Sequence, residues 1–131
     1  MRLKQLLYAA GEAGELAIAI AKNDIEGIKD GIGDTLVCLI NAAKLAGFEI
    51  ENGWPAVRTD PEYCISRVLN RIAYLLTDKR RDLDYDAATR QLNDLAATYE
   101  MSLAECLQQA INEISKRTGK FVNGVFVKDQ K

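Results

Sequence analysis

Histidine is absent from the chain. With it go the Ser-His and Cys-His nucleophilic arrangements and most zinc hydrolase designs. Any catalysis must therefore draw on carboxylates, a hard metal ion, lysine or tyrosine. Long hydrophobic runs are missing too: the longest largely apolar stretch, Leu36 to Ala43, is far too short to span a bilayer. The start around Leu3, Leu6 and Leu7 is broken by Glu12 and Glu15 with no cleavage pattern behind it, so it is read as part of the folded domain and not as a leader. A strong charge of either sign is lacking as well. The 17 basic and 19 acidic residues leave a net charge of −2, so no global field argues for a nucleic-acid or membrane partner. Cysteine is sparse, with Cys38, Cys64 and Cys106 odd in number, widely spaced and set in apolar helical surroundings. They read as buried thiols, not as a disulfide framework or zinc site, and the expected compartment is the cytoplasm.

What is present is helical periodicity. At 131 residues the chain is expected to form a single domain, residues 1–131, around one core. A first helix is predicted from Leu3 to Ala21, with Leu3, Leu6, Leu7, Ala10, Ala17 and Ile20 as its apolar face. Gly11 and Gly14 would let a neighbouring helix approach closely, since glycine inside a helix otherwise costs about 1 kcal/mol against alanine. Lys22-Asn23-Asp24 is the turn into a second helix, Ile25 to Ala46, which Gly47 stops. Phe48 to Thr59 reads as loop, with Trp54 as core plug or, alternatively, a base-stacking residue. Asp60-Pro61 opens a third helix striped by Cys64, Val68, Leu69, Ile72, Leu75 and Leu76. After the charged connector Thr77–Asp82, Asp84 is expected to cap a fourth helix, Tyr85 to Tyr99. Ser102 and Glu105 form a capping box for a fifth, whose predicted inner stripe is Leu103, Leu107, Ala110, Ile111 and Ile114. Asn123-Gly124 between apolar residues is a two-residue hairpin signal. The expected fold is all-α, a bundle of about five helices built on an antiparallel hairpin, with a short extended tail.

Inside that first hairpin lie two acidic pairs. Glu12 and Glu15 are three residues apart, Asp30 and Asp34 four apart, so each pair shares a helix face. Antiparallel packing can bring all four onto one seam, where crowded like charges need a cation or proton to compensate them. A hard divalent ion such as Mg²⁺ held by oxygen ligands would do so. On spacing alone, two solvated acidic pairs fit equally well.

The segments Gln5-Leu-Leu…Glu12-Ala-Gly-Glu15-Leu16-Ala17 and Ile28-Lys-Asp30-Gly-Ile-Gly-Asp34-Thr-Leu-Val37 resemble the MazG-like, all-α nucleotide pyrophosphohydrolases. The ending Asn112-Glu-Ile…Arg117-Thr-Gly119-Lys120…Gly124-Val-Phe-Val-Lys128 is similar to phage and prophage members. The resemblance implies a helical enzyme that uses Mg²⁺, with Mn²⁺ as a substitute, to cleave nucleoside triphosphates to monophosphate and pyrophosphate. It implies Glu12 and Glu15 as the first ligand pair and Asp34 as the final aspartate, with Asp30 standing one residue before the family's usual glutamate, whose position Gly31 takes. On the same footing Lys116, Arg117 and Lys120 would clamp phosphates, which suits Arg in particular, although basic residues also complement a helix C-terminus. Glu12 is the candidate proton acceptor. Asn41, two turns beyond Asp34, could orient a ligand or equally serve as a local cap. Relatives are dimers or tetramers, so a homodimer or homotetramer is expected, joined largely through the central hairpin. Two alternative readings remain: a helical assembly or binding module with an incomplete ligand set, favoured by Gly31, and a phosphoribosyl-ATP pyrophosphohydrolase-like enzyme.

Overall fold

The computed structural model describes residues 2–78, 82–116, 119–122 and 125–128. Five helices follow one another, α1 (Arg2–Ala21), α2 (Ile25–Leu45), α3 (Pro61–Thr77), α4 (Asp82–Thr98) and α5 (Leu103–Lys116), and a two-stranded hairpin of β1 (Gly119–Val122) and β2 (Val125–Lys128) comes last. The strands are antiparallel, with Val122 opposite Val125 and Phe121 opposite Phe126, the register expected when two residues separate them.

The α1–α2 hairpin is closed by local chemistry. Asn23 takes a left-handed φ of 52°, which asparagine tolerates. The Asp24 N–H donates to the Ala19 carbonyl at 2.9 Å, satisfying the end of α1. The Asp24 side chain then caps α2, accepting from the Gly27 N–H at 3.1 Å. Gly47, at φ 87°, ends α2 where a glycine stop is predicted. Ser102 and Glu105 form the reciprocal capping box of α5, each side chain accepting from the other's backbone N–H at 3.1 Å. Those bonds hold the Glu105 carboxyl below the usual glutamate range. The box therefore contributes at neutral pH and is lost as pH falls through that lowered value.

The core gathers Leu6 and Leu16 of α1, Ile28, Ile32 and Leu39 of α2, Val68, Ile72 and Leu75 of α3, and Leu92 and Leu95 of α4. Helix α1 packs on α2 and α3, α3 on α4, and α5 on α2. The loop from 48 to 59 is pinned along one face of α4: the Glu51 N–H donates to Asp86, the Val57 N–H to Asp94 and the Thr59 N–H to Thr98 Oγ1. Side chains of a helix thus satisfy the backbone of a segment that has no ladder of its own.

Several sequence expectations need correction. The buried face of α1 is Leu6, Ala9, Ala13, Leu16 and Ala19, whereas Leu3 and Leu7 are exposed. Gly11 and Gly14 have no neighbouring chain within 4 Å of a would-be Cβ; the close helix approaches are at Gly31 and Gly33 instead. Asp84 does not cap α4 from outside. It lies within the first turn, almost fully buried, and accepts from Nη1 of the half-buried Arg71 at 3.0 Å. On α5 the buried positions are Cys106 and Ala110, with Ile111 and Ile114 exposed, and on α3 Leu69 is exposed while Ile65 is buried. The connector residues 79–81 and the hairpin tip at 123–124 lie outside the described residues.

Candidate active site

Glu12 and Glu15 from α1 and Asp30 and Asp34 from α2 line a single cavity of about 290 Å³ between the two helices. Lys22 and Asp24, from the turn, line it too, so five carboxylates face one cation. Glu12, Asp30 and Asp34 are half-buried, and Glu15 is exposed. The floor is set by Gly31, which is buried against Leu16: a Cβ there would sit 2.9 Å from the Leu16 Cβ and 3.1 Å from its Cα. A glutamate at this position would have to spread the hairpin. Cys38 lies near both helices' carboxylates; burial, then Glu12, then Asp34 push its thiol up to about 11. Cys64 and Cys106 are likewise pushed to about 11, chiefly by burial, and all three are free thiols. They are inert packing groups at neutral pH.

The donor set is oxygen throughout, which suits a hard divalent cation. Among the described residues no three His, Cys, Asp or Glu side chains are gathered tightly enough to hold a metal ion by themselves. The residues therefore fit an open site, where one or two carboxylates share the cation with substrate phosphate and water, as Mg²⁺ commonly requires.

Asp30 also makes a long-range contact that no local sequence pattern announces. Its Oδ1 accepts a hydrogen bond from Nε2 of Gln109 on α5. Asp30 and Gln109 also line a second, polar cavity of about 590 Å³, together with Lys29, Lys116 and the carboxylates of Glu26, Glu105 and Glu113. Lys116, a predicted phosphate ligand, thus shares a cavity with one of the four carboxylates, although the two lie 86 positions apart in sequence. Arg117 and the side chain of Lys120 lie outside the described residues. Asn41 is exposed on α2 and is not among the residues lining the acidic cavity.

A third cavity, of about 730 Å³, lies beside the C-terminal half of α2, walled by Leu36, Ile40, Phe48, Trp54 and Leu107 with the Asn93 amide at its edge. Trp54 is not a core plug. It is half-buried in the wall of this cavity, with the Arg90 guanidinium 5.0 Å from its ring centre and its carbonyl accepting from Asn93 Nδ2.

Fold and site together define an all-α protein whose N-terminal helical hairpin carries an acidic, oxygen-only pocket. Residues 2–57 match the model of the MazG nucleotide pyrophosphohydrolase domain, a span that holds α1, α2 and all four paired carboxylates. Over this segment the chain is similar to the MazG domain, a hydrolase domain acting on phosphoanhydride bonds. No curated protein and no solved structure matches the chain. Among the described residues, no helix is long and apolar enough to cross a membrane.

Proposed function

We propose that the protein is a Mg²⁺-dependent nucleoside triphosphate pyrophosphohydrolase, with Mn²⁺ as a substitute, that releases nucleoside monophosphate and pyrophosphate. The observation that carries this reading is the meeting of Glu12, Glu15, Asp30 and Asp34 in one cavity within the matched segment. These four side chains are the proposed ligand set, with one or two of them on the cation at once and substrate phosphate and water completing its shell. Bound there, Mg²⁺ would neutralise phosphate charge and acidify water. Glu12, half-buried at the cavity edge, accepts the proton as the water oxygen bonds to the α-phosphorus and the bridging oxygen leaves with pyrophosphate. Lys116, with Arg117 and Lys120 beyond it, is the proposed clamp for the outer phosphates, a role that rests on the resemblance and on its nearness to Asp30, since the cavity the two share is also lined by Glu26, Glu105 and Glu113. Free thiols suit a reducing cytoplasm.

Product analysis on a panel of nucleoside triphosphates, with and without Mg²⁺, tests the reading. Pyrophosphate and monophosphate in equal amounts, only with metal, are expected. Orthophosphate and diphosphate as products, or no turnover of any nucleotide, would contradict it.

Assembly belongs to the same proposal. Helix α1 is apolar on two opposite sides: beside its buried stripe it presents Leu3, Leu7 and Ile18 to the exterior, 3–4 residues apart with Gly11 and Gly14 between. A second apolar stripe left exposed opposite the buried one marks an interaction face, and a second copy of the chain would cover it. At least a dimer is expected by light scattering at micromolar concentration, and Leu7→Glu should reduce it to a monomer. A monomeric wild type would refute this part.

A further inference from the structure

We propose that Gln109 is a positioning residue for the acidic cavity, holding Asp30 so that its second carboxylate oxygen is presented to the metal. The inference rests on the reading of Asp30 as a ligand. A carboxylate offers only acceptors, so the Gln109 amide must meet Asp30 through its nitrogen, as the Nε2 to Oδ1 bond has it. One oxygen is thereby engaged from the α5 side, in the cavity that Lys116 also lines, while Asp30 also borders the cavity of Glu12, Glu15 and Asp34 on its other side. A neutral donor suits this task. It orients the carboxylate without bringing a positive charge that would compete with the cation, as a lysine at 109 would.

The reach of Gln109 is built into the packing of α2 on α5. One turn along each helix from the Asp30–Gln109 pair, Gly33 lies against the backbone of α5. A Cβ at 33 would sit 2.2 Å from the Cys106 carbonyl oxygen and 3.1 Å from the Ala110 Cβ. Only glycine allows this approach. The two contacts are antiparallel equivalents: three residues back from 33 on α2 correspond to three residues on from 106 on α5. The glycine at 33 and the glutamine at 109 thus act together, and a helix outside the matched segment 2–57 tunes the site within it.

Removal of a partner that orients a metal ligand typically lowers metal affinity ten- to hundredfold. For Gln109→Leu, Mn²⁺ binding followed by electron paramagnetic resonance should weaken about tenfold or more. The Mg²⁺ concentration for half-maximal turnover should rise by the same factor, with kcat at saturating metal within about twofold of wild type. Gln109→Ala, which asks nothing of the surrounding packing, should behave alike. A mere helix tie would lower the melting temperature and leave both metal readouts unmoved, and that result overturns the proposal. Asp30→Asn measured beside it separates the two levels. If Asp30→Asn weakens Mn²⁺ binding and neither Gln109 variant does, the positioning role falls and the ligand stands. If none of the three variants changes Mn²⁺ binding, Asp30 is no ligand and both fall.

Discussion

Glu15→Gln and Asp34→Asn are each expected to lower Mg²⁺-dependent pyrophosphate release by at least about a hundredfold while far-UV circular dichroism stays that of the wild type. Each exchange keeps the side-chain volume and removes one negative charge from the cavity between α1 and α2. Charge stabilisation by a bound cation is worth several kcal/mol in such reactions, and each 1.36 kcal/mol is a factor of ten in rate. The fold has no reason to suffer. Glu15 is exposed, and without metal the four paired carboxylates repel one another, so either substitution should leave the metal-free melting temperature unchanged or raise it. Comparing kcat/KM with the melting temperature for both variants separates a ligand role from a structural one. Full turnover in both would remove the carboxylates from the mechanism.

Gly33→Ala should destabilise the protein, against the usual trend for glycine in a helix. Alanine at an unhindered helical position gains about 1 kcal/mol over glycine. Here the new Cβ would lie 2.2 Å from the carbonyl oxygen of Cys106, a backbone atom that moves only if α5 moves. Overpacking of that kind costs about 3 kcal/mol at the upper end of its usual range. The net loss is about 2 kcal/mol by denaturant titration, or roughly 8 °C in melting temperature for a domain of this size. The same shift would draw Gln109 away from Asp30, so metal affinity should fall along with stability. A more stable Gly33→Ala protein would mean that α5 does not seat on α2 in this way.

The parts of the fold legible in the sequence are those written locally. Lys22-Asn23-Asp24 announced the hairpin, Ser102 and Glu105 the start of α5, Pro61 the start of α3, and Gly47 the end of α2; each works through its own backbone neighbours. The acidic quartet was legible because helix spacing and one short turn suffice to bring its members to a common cavity. What failed depended on partners distant in the chain. On α1 both sides are apolar, so periodicity could not choose between them. The larger residues Leu3 and Leu7 drew the assignment outward, while the alanine-rich side with Leu6 and Leu16 faces the core. The acidic residue at 84 looked like a cap because no local feature of α4 reveals Arg71 on α3. Gln109 had no signal either, since its meaning arises only where α5 crosses α2. Helical position marks Gly11 and Gly14 as approach points, where the helix is open, and gives no sign of the close approaches at 31 and 33, where Leu16 and Cys106 lie near. Glycine marks a possible approach, and only the packing says whether a neighbour takes it.

The most direct test of the account is Mn²⁺ binding to the wild type and to the Glu15→Gln, Asp34→Asn double variant, each with and without a non-hydrolysable nucleoside triphosphate analogue. The carboxylates of the cavity do not close into a cage of their own among the described residues, so the wild type should bind Mn²⁺ weakly alone and at least about tenfold more tightly with the analogue, whose phosphates complete the shell. The double variant should lose both the weak binding and the enhancement. Equal Mn²⁺ binding by the two proteins, with or without the analogue, would contradict a metal site built from this hairpin.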